Sequence, residues 1–374
     1  WLWGIQIQRP YRIQSSMYSS TSNLWIIIMA YISFKPTDFF NTLQWTGDGG
    51  ASQAQTGLGF QPDMTWIKCK NQAENHGLYD SVRGVTKNMA PNLTAAESTL
   101  SGVTAFGADG FTVGASGITG YNTQTYVGWN WKAGTTSGIT TNGSTTITPT
   151  SYSFNTTSGV SLIQYAGNST AGAKIAHGLG VKPDFMIIKP INLAGQAWVG
   201  YHQATGATKY FELNTTAAAA TASWPFDDTE PDTVNFTVGN NNNVNTGYNY
   251  LALCFAEKKG YSKFSSYQGN GNAADGPFVY TGFRPAFLMI KCSSATENWY
   301  MFDDKRAGYN FANYSIKAND TDAEATSTYL ELLSNGFRIR NAAGDLNAST
   351  ATFAYMAFAE YPLVGSNQTA ALAR

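Results

Sequence analysis

Few residues of this 374-residue chain carry side chains able to make or break a bond. There are three histidines, His76, His177 and His202, and three cysteines, Cys69, Cys254 and Cys292. The cysteines are odd in number, far apart and in no CxxC pair. Buried free thiols are therefore expected, rather than a disulfide framework or a zinc site. Asp227-Asp228 and Asp303-Asp304 are the adjacent carboxylates to which glycoside hydrolysis would look. Neighbouring strand residues point to opposite faces, so adjacency argues for solvated turn acids and against a shared site. No HExxH, GxSxG, Walker-loop or EF-hand spacing occurs. The reading is of a non-enzyme with no catalytic residue, no metal ligand and no cofactor.

What remains is binding. Trp129 and Trp131 lie two apart in a strand pattern, share a face and read as core. Trp198, Trp224 and Trp299 lie nearer turn-rich segments, and the run Asn240-Asn-Asn-Asn243 reads as a loop of unpaired amides. Trp198, Trp224, Trp299, Asn241 and Asn242 are accordingly the candidate glycan or receptor contacts. Asn92-Leu-Thr94, Asn168-Ser-Thr170, Asn214-Thr-Thr216 and Asn319-Asp-Thr321 are read as turn chemistry. Charged residues make up 13% of the chain and the net charge is −1, which leaves no excess of cations for nucleic acid or an anionic membrane. The longest apolar run, Leu24 to Phe34, falls short of the roughly 20 residues of a membrane span, so no membrane insertion is expected. The chain begins with Trp1, and Met29-Ala30-Tyr31 reads as an opening. Residues 1–28 are expected to be upstream sequence or a cut from a longer chain.

The elements that would position these residues come in three copies. Gly57-Leu-Gly-Phe-Gln-Pro62-Asp-Met-Thr-Trp-Ile-Lys68 returns as Gly178-Leu-Gly-Val-Lys-Pro183-Asp-Phe-Met-Ile-Ile-Lys189, then as Gly282-Phe-Arg-Pro285-Ala-Phe-Leu-Met-Ile-Lys291. Pro62, Pro183 and Pro285 are spaced by 121 and 102 residues, and Trp45, Tyr165 and Tyr267 by 120 and 102. Independent phrases keeping one registration are the mark of tandem repeats. The Gly-x-x-Pro phrase is a turn, and the apolar run after it signals a strand covered on both faces, inside a sandwich or under a neighbouring module. His177 aligns with Thr56 and Val279, and His202 with Asp80 and Asp303, so neither position recurs as histidine. Thr94-Ala-Ala-Glu97 and Thr321-Asp-Ala-Glu324 have capping-box spacing, with Thr216 at the matching place, and predict one short helix per repeat.

The expected fold is all-β: three tandem β-sandwich modules of jelly-roll or lectin-like type, each with a short helix. The expected boundaries are a leader outside the fold at 1–38, modules at 39–150, 151–260 and 261–365, and a tail at 366–374. The Thr/Ser/Gly-rich stretch 133–150 is expected to flex, and the short junction Glu257-Lys-Lys-Gly260 is not.

Tyr79-Asp-Ser-Val-Arg-Gly84, Tyr126-Val-Gly-Trp-Asn-Trp-Lys132, His177-Gly-Leu-Gly180, Tyr261-Ser-Lys-Phe264 and Gly276-Pro-Phe-Val-Tyr-Thr-Gly-Phe-Arg-Pro285 resemble repeat-bearing virion proteins of marine tailed bacteriophages. The resemblance covers about residues 31 to 363. It implies a structural protein of the virion, a tail fibre or other host-facing appendage, assembled in the bacterial host cytoplasm. Implied partners are other virion proteins, further copies of the chain (a trimer among the options) and a host surface glycan. A capsid decoration protein and a glycan-binding or glycan-degrading module are the alternatives.

Overall fold

The computed structural model describes residues 32, 34–307 and 311–362, and within them the fold is all-β. Each repeat supplies one large antiparallel sheet. The first runs, in spatial order, Phe40–Thr46, Thr125–Trp131, Met64–Cys69, Gly77–Asp80, Gly84–Met89, Ser98–Thr99. The second places Val160–Ala166, Asn249–Phe255, Phe185–Pro190, Val199–His202, Lys209–Glu212 and Ala220–Thr221 in the same order, with an extra edge strand, Ser151–Asn155. The third begins Ser262–Gln268, Thr352–Pro362, Phe283–Cys292, Trp299–Asp303, Phe311–Lys317, Ala325–Leu333. In every copy the last strand lies between the first strand and the apolar one.

The copies differ in what backs this sheet. A separate three-stranded sheet (Gln53–Thr56, Gly110–Val113, Val103–Gly107) accompanies the first, and a two-stranded one (Ala173–Ala176, Asn235–Val238) the second. In the third repeat Gly336–Ile339 and Phe278–Tyr280 continue the large sheet itself to eight strands. The expectation of sandwiches gives way there to a single sheet curling over its own core.

The apolar strands are buried on both faces because each large sheet serves two cores. Met64 and Trp66, Phe185 and Ile187, Phe287 and Met289 point into one cluster shared by all three repeats. The alternate residues Ile67 and Cys69, Met186 and Ile188, Leu288 and Ile290 point into each repeat's own cluster. Period-two alternation of this kind follows from strand geometry. At the centre stand three residues in equivalent register, Trp131, Phe255 and Phe358. Their ring centroids are 6.4, 6.0 and 5.7 Å apart, so every repeat touches both others at one point. The apolar gap beside them, lined by Trp66, Phe185, Leu253 and Phe287 among others, holds only about 10 Å³. That is at the lower limit for one water, and apolar cavities of this kind stay dry.

Three expectations are corrected. Residues 91–97 form a turn and irregular backbone, and the helices among the described residues are Pro36–Asp38, Asp304–Ala307 and Gly344–Asn347, not one per repeat at the Thr-x-x-Glu phrase. The stretch 133–150 is pinned: Thr135 bridges Phe154, Ile147 bridges Ile175 in parallel, and the Ile147 side chain is buried in the second repeat's core. The fold also begins before residue 39, since Ile32 is buried in the shared core and Phe34 packs edge-on to Tyr261 at 5.4 Å. The readings of residues 1–28 and 366–374 lie outside the described residues.

Candidate functional site: the seams between repeats

The polar side chains with chemical potential converge on the three seams. Asn92, Asn214 and Asn319 hold equivalent places, and each amide oxygen accepts a backbone N–H from the strand beside it, that of His76 (3.1 Å), Trp198 (2.8 Å) or Trp299 (2.8 Å). His76 thereby aligns with Trp198 and Trp299. All three rings then bond across a seam to the carbonyl two residues before the asparagine of another repeat: His76 to Lys317 (3.0 Å), Trp198 to Ala90 (3.1 Å), Trp299 to Glu212 (3.2 Å). The residues read as capping boxes make the next link. The N–H of Glu97 donates to the carbonyl of Ile191, that of Ala219 to Ser293, and that of Glu324 to Lys70. First to second, second to third and third to first, the ring of three closes.

Beneath these straps lie three fully buried lysines, Lys68, Lys189 and Lys291, each ending the same apolar strand phrase. Lys189 donates to the carbonyls of Thr94 and Gln196, and Lys291 to those of Thr216, Cys292 and Glu297. Lys68 donates to those of Cys69 and Gln72. Burial pulls each ammonium down from the usual lysine range to about 8. Desolvation disfavours the charged form, and the carbonyl oxygens hold the proton that remains.

Two seams add buried ions. Arg83 bonds the Asp80 carboxylate (2.6 Å), Glu97 (3.2 Å) and the carbonyl of Leu78. Arg306 repeats this with Asp303 (2.6 Å), Glu324 (2.9 Å) and the carbonyl of Met301. Asp303 also accepts the indole N–H of Trp129. Asp303 and Asp304 are thus buried, contrary to the solvated-turn reading, whereas Asp227 and Asp228 are exposed at positive φ as that reading holds. Burial pushes the Asp304 carboxyl up to about 7, against the pull of Lys305 at 3.1 Å.

No histidine is left free for acid–base work. Nδ1 of His76 accepts the indole N–H of Trp66, that of His177 the N–H of Leu179, and that of His202 the N–H of Ala204. Each Nε2 is therefore the protonated nitrogen, donating to the carbonyl of Lys317, Asp232 or Tyr355. Burial lowers the affinity of all three rings for a second proton, to about 3 for His76 and about 4 for His202.

The sequence-derived contact residues divide accordingly. Trp198 and Trp299 are buried seam anchors and are withdrawn as receptor contacts. Trp224 is half-buried, edge-on to Tyr210 at 4.8 Å. Asn241 spends its amide oxygen on Asn243 and Asn242 bonds the hydroxyl of Thr246, so the asparagine run is a self-bonded turn. Exposed aromatics occur elsewhere, as Phe278, Tyr280 and Phe311 on the third sheet. The three cysteines are buried and unpaired. Among the described residues no His, Cys, Asp and Glu group is placed to hold a metal ion, and no helix is long and apolar enough to cross a membrane.

A family model described as "Domain of unknown function (DUF7483)" matches residues 35–362. The chain belongs to that family. The match spans all three repeats, so the DUF7483 unit is the closed ring of three. No curated protein matches the chain.

Proposed function

We propose that this DUF7483 protein is a non-enzymatic structural component of a phage virion, a tail fibre or other host-facing appendage that displays surface loops on a rigid hub. One observation carries the reading: the residues best suited to chemistry are consumed in intramolecular bonds. His76, His202, Lys189 and Lys291 bond across seams, while His177, Lys68 and the Asp–Arg–Glu clusters are bonded inside their own repeats. What recurs is scaffold, and what differs is the outer surface. Outward positions on one edge strand are Ala54 and Thr56 in the first repeat and Phe278 and Tyr280 in the third, whereas the second has the half-buried Lys174 and a fully buried Ala176 at the matching places. Divergent surface on a common frame suits display, since loops on rigid scaffolds carry recognition. The phage context rests on the sequence resemblance. Cryo-electron microscopy of the virion tests it: density at the tail is expected, and density on the capsid lattice would replace the fibre by the decoration protein. Solution mass, as monomer or trimer, tests the expected self-association.

Glycan contact is the second reading, favoured by a cleft between the first and second repeats whose walls include Asp63, Lys132 and Tyr152. Glycan-array binding without product formation is the expected result, and cleavage would overturn the non-enzyme reading.

A further inference from the structure

At each seam one repeat hands over to the next around a corner of equivalent positions: Asp63, Asp184 or Ala286 after the proline, and Ala133, Glu257 or Glu360 two residues past Trp131, Phe255 or Phe358. Ion pairs occupy two of the corners. Between the second and third repeats Asp184 accepts the N–H of Glu257, and the Glu257 side chain pairs with Lys263 at 2.8 Å. Between the third and first, Arg284 pairs with Glu360, both buried. At the remaining corner Ala133 brings only a methyl group, and the stretch leading to Ser151 is bridged to the second repeat, Thr135 to Phe154 and Ile147 to Ile175. A cleft of about 480 Å³ is left, bounded by Asp63, Ser81, Val82, Lys132, Ser151 and Tyr152. Its volume falls in the range of about 300–1,000 Å³ usual for small-molecule sites.

We propose that this cleft binds an acidic saccharide unit of the hexuronic type. Tyr152 is half-buried and lines the cleft beside the apolar Val82, its ring 5.9 Å from that of Phe154. Aromatic faces and apolar edges are what a pyranose packs against. The buried Asp63 carboxylate accepts from Ser81 Oγ (2.8 Å), Ser153 Oγ (2.9 Å) and the N–H of Ala133 (2.8 Å). A carboxylate has about four acceptor directions, so one remains for a ligand hydroxyl. Lys132 has no ion-pair partner among the described residues and sits 5.7 Å from the centroid of Phe39. It supplies the cation that a sugar carboxylate needs. A neutral hydroxylated ligand would leave that charge unused, which is why the acidic class is assigned.

The inference deepens the glycan reading above and rests on it. Its test uses the purified chain alone, so failure here leaves the virion placement to its own experiment. Glucuronate, galacturonate and their disaccharides are titrated by calorimetry against the full chain, with glucose as the neutral control. The expected result is saturable binding of at least one uronate, weakened about tenfold or more in Lys132→Gln and equally favoured over glucose. Thr136→Trp, at the exposed rim of the cleft, should abolish binding, and Thr150→Trp on the same rim serves should Thr136→Trp fail to fold. Absence of uronate binding, equal affinity for glucose, or binding unchanged in Lys132→Gln would each overturn the proposal.

Discussion

The second repeat and its two neighbours solve one structural problem in different ways. In the first and third repeats a buried arginine ties an aspartate at the strand end to a glutamate on the strap, as Asp80–Arg83–Glu97 and Asp303–Arg306–Glu324. In the second repeat those places hold His202, Thr205 and Ala219. All three ions are gone together, and the strap still makes its link, from Ala219 N–H to the carbonyl of Ser293 at 3.0 Å. The difference teaches that the seam is a backbone device. The ions are an addition to it, workable only as a complete set, because a buried charge without its partner is strongly unfavourable.

The largest test of this contrast is Arg306→Met. It strands Asp303 and Glu324 without their cation, and denaturant unfolding should show a loss of about 3–5 kcal/mol. The triple change Asp303→His, Arg306→Thr, Glu324→Ala imports the second repeat's solution and should cost less than the single one. If the triple costs the sum of its parts, the set is not cooperative and the comparison fails. Because the repeats share one core, either variant should unfold in a single transition.

Acid comes next. A buried histidine with a depressed pKa contributes stability that is complete above about 6.5 and is lost as pH falls through the folded value, about 3 for His76 and about 4 for His202. Asp304, raised to about 7, has the opposite sign: its contribution is complete below the unfolded value of 3.8 and is lost as pH rises through 7. All three depressed rings lose stability as pH falls from 7 to 4 and the Asp304 carboxyl opposes them, so stability is expected to fall on acidification by less than the rings alone would give. Asp304→Asn removes the opposing group and should steepen that fall in thermal melts.

Trp299→Phe keeps an aromatic ring but removes the pyrrole half and the N–H that crosses to Glu212, leaving a carbonyl unpaired at about 1–2 kcal/mol and a cavity that adds to the loss. Trp198→Phe should match it, and unequal losses would mean that the seams are not energetically alike. Phe278→Ser, on the exposed third sheet, should move the melting midpoint by no more than about 0.5 kcal/mol would.

The repeat register and the doubly buried strands were legible because prolines, glycines and apolar runs keep their spacing whatever the surface does. The anchors were not. His76 shares no chemistry with Trp198 and Trp299 except a ring N–H, so alignment by residue type hides their common role. Trp198 and Trp299 border turn-rich segments, which suggests exposure to a reader who cannot see the neighbouring repeat closing over them. Thr94-Ala-Ala-Glu97 has the spacing of a helix start, but Ser98–Thr99 follow as a short strand. The main-chain groups of Thr94 and Glu97 face Lys189, Gly195 and Ile191 instead of a helical turn. Spacing within a segment says nothing of a partner about 100 residues away.

The meeting of Trp131, Phe255 and Phe358 on one centre has an evolutionary consequence. A ring assembled from three identical chains carries every substitution three times, so a change tolerated at one position must be tolerated at all of them. Strung on one polypeptide, the three positions mutate singly. One corner can keep its ions while another loses them, and one outer face can acquire aromatics while its counterparts keep alanine, threonine and lysine.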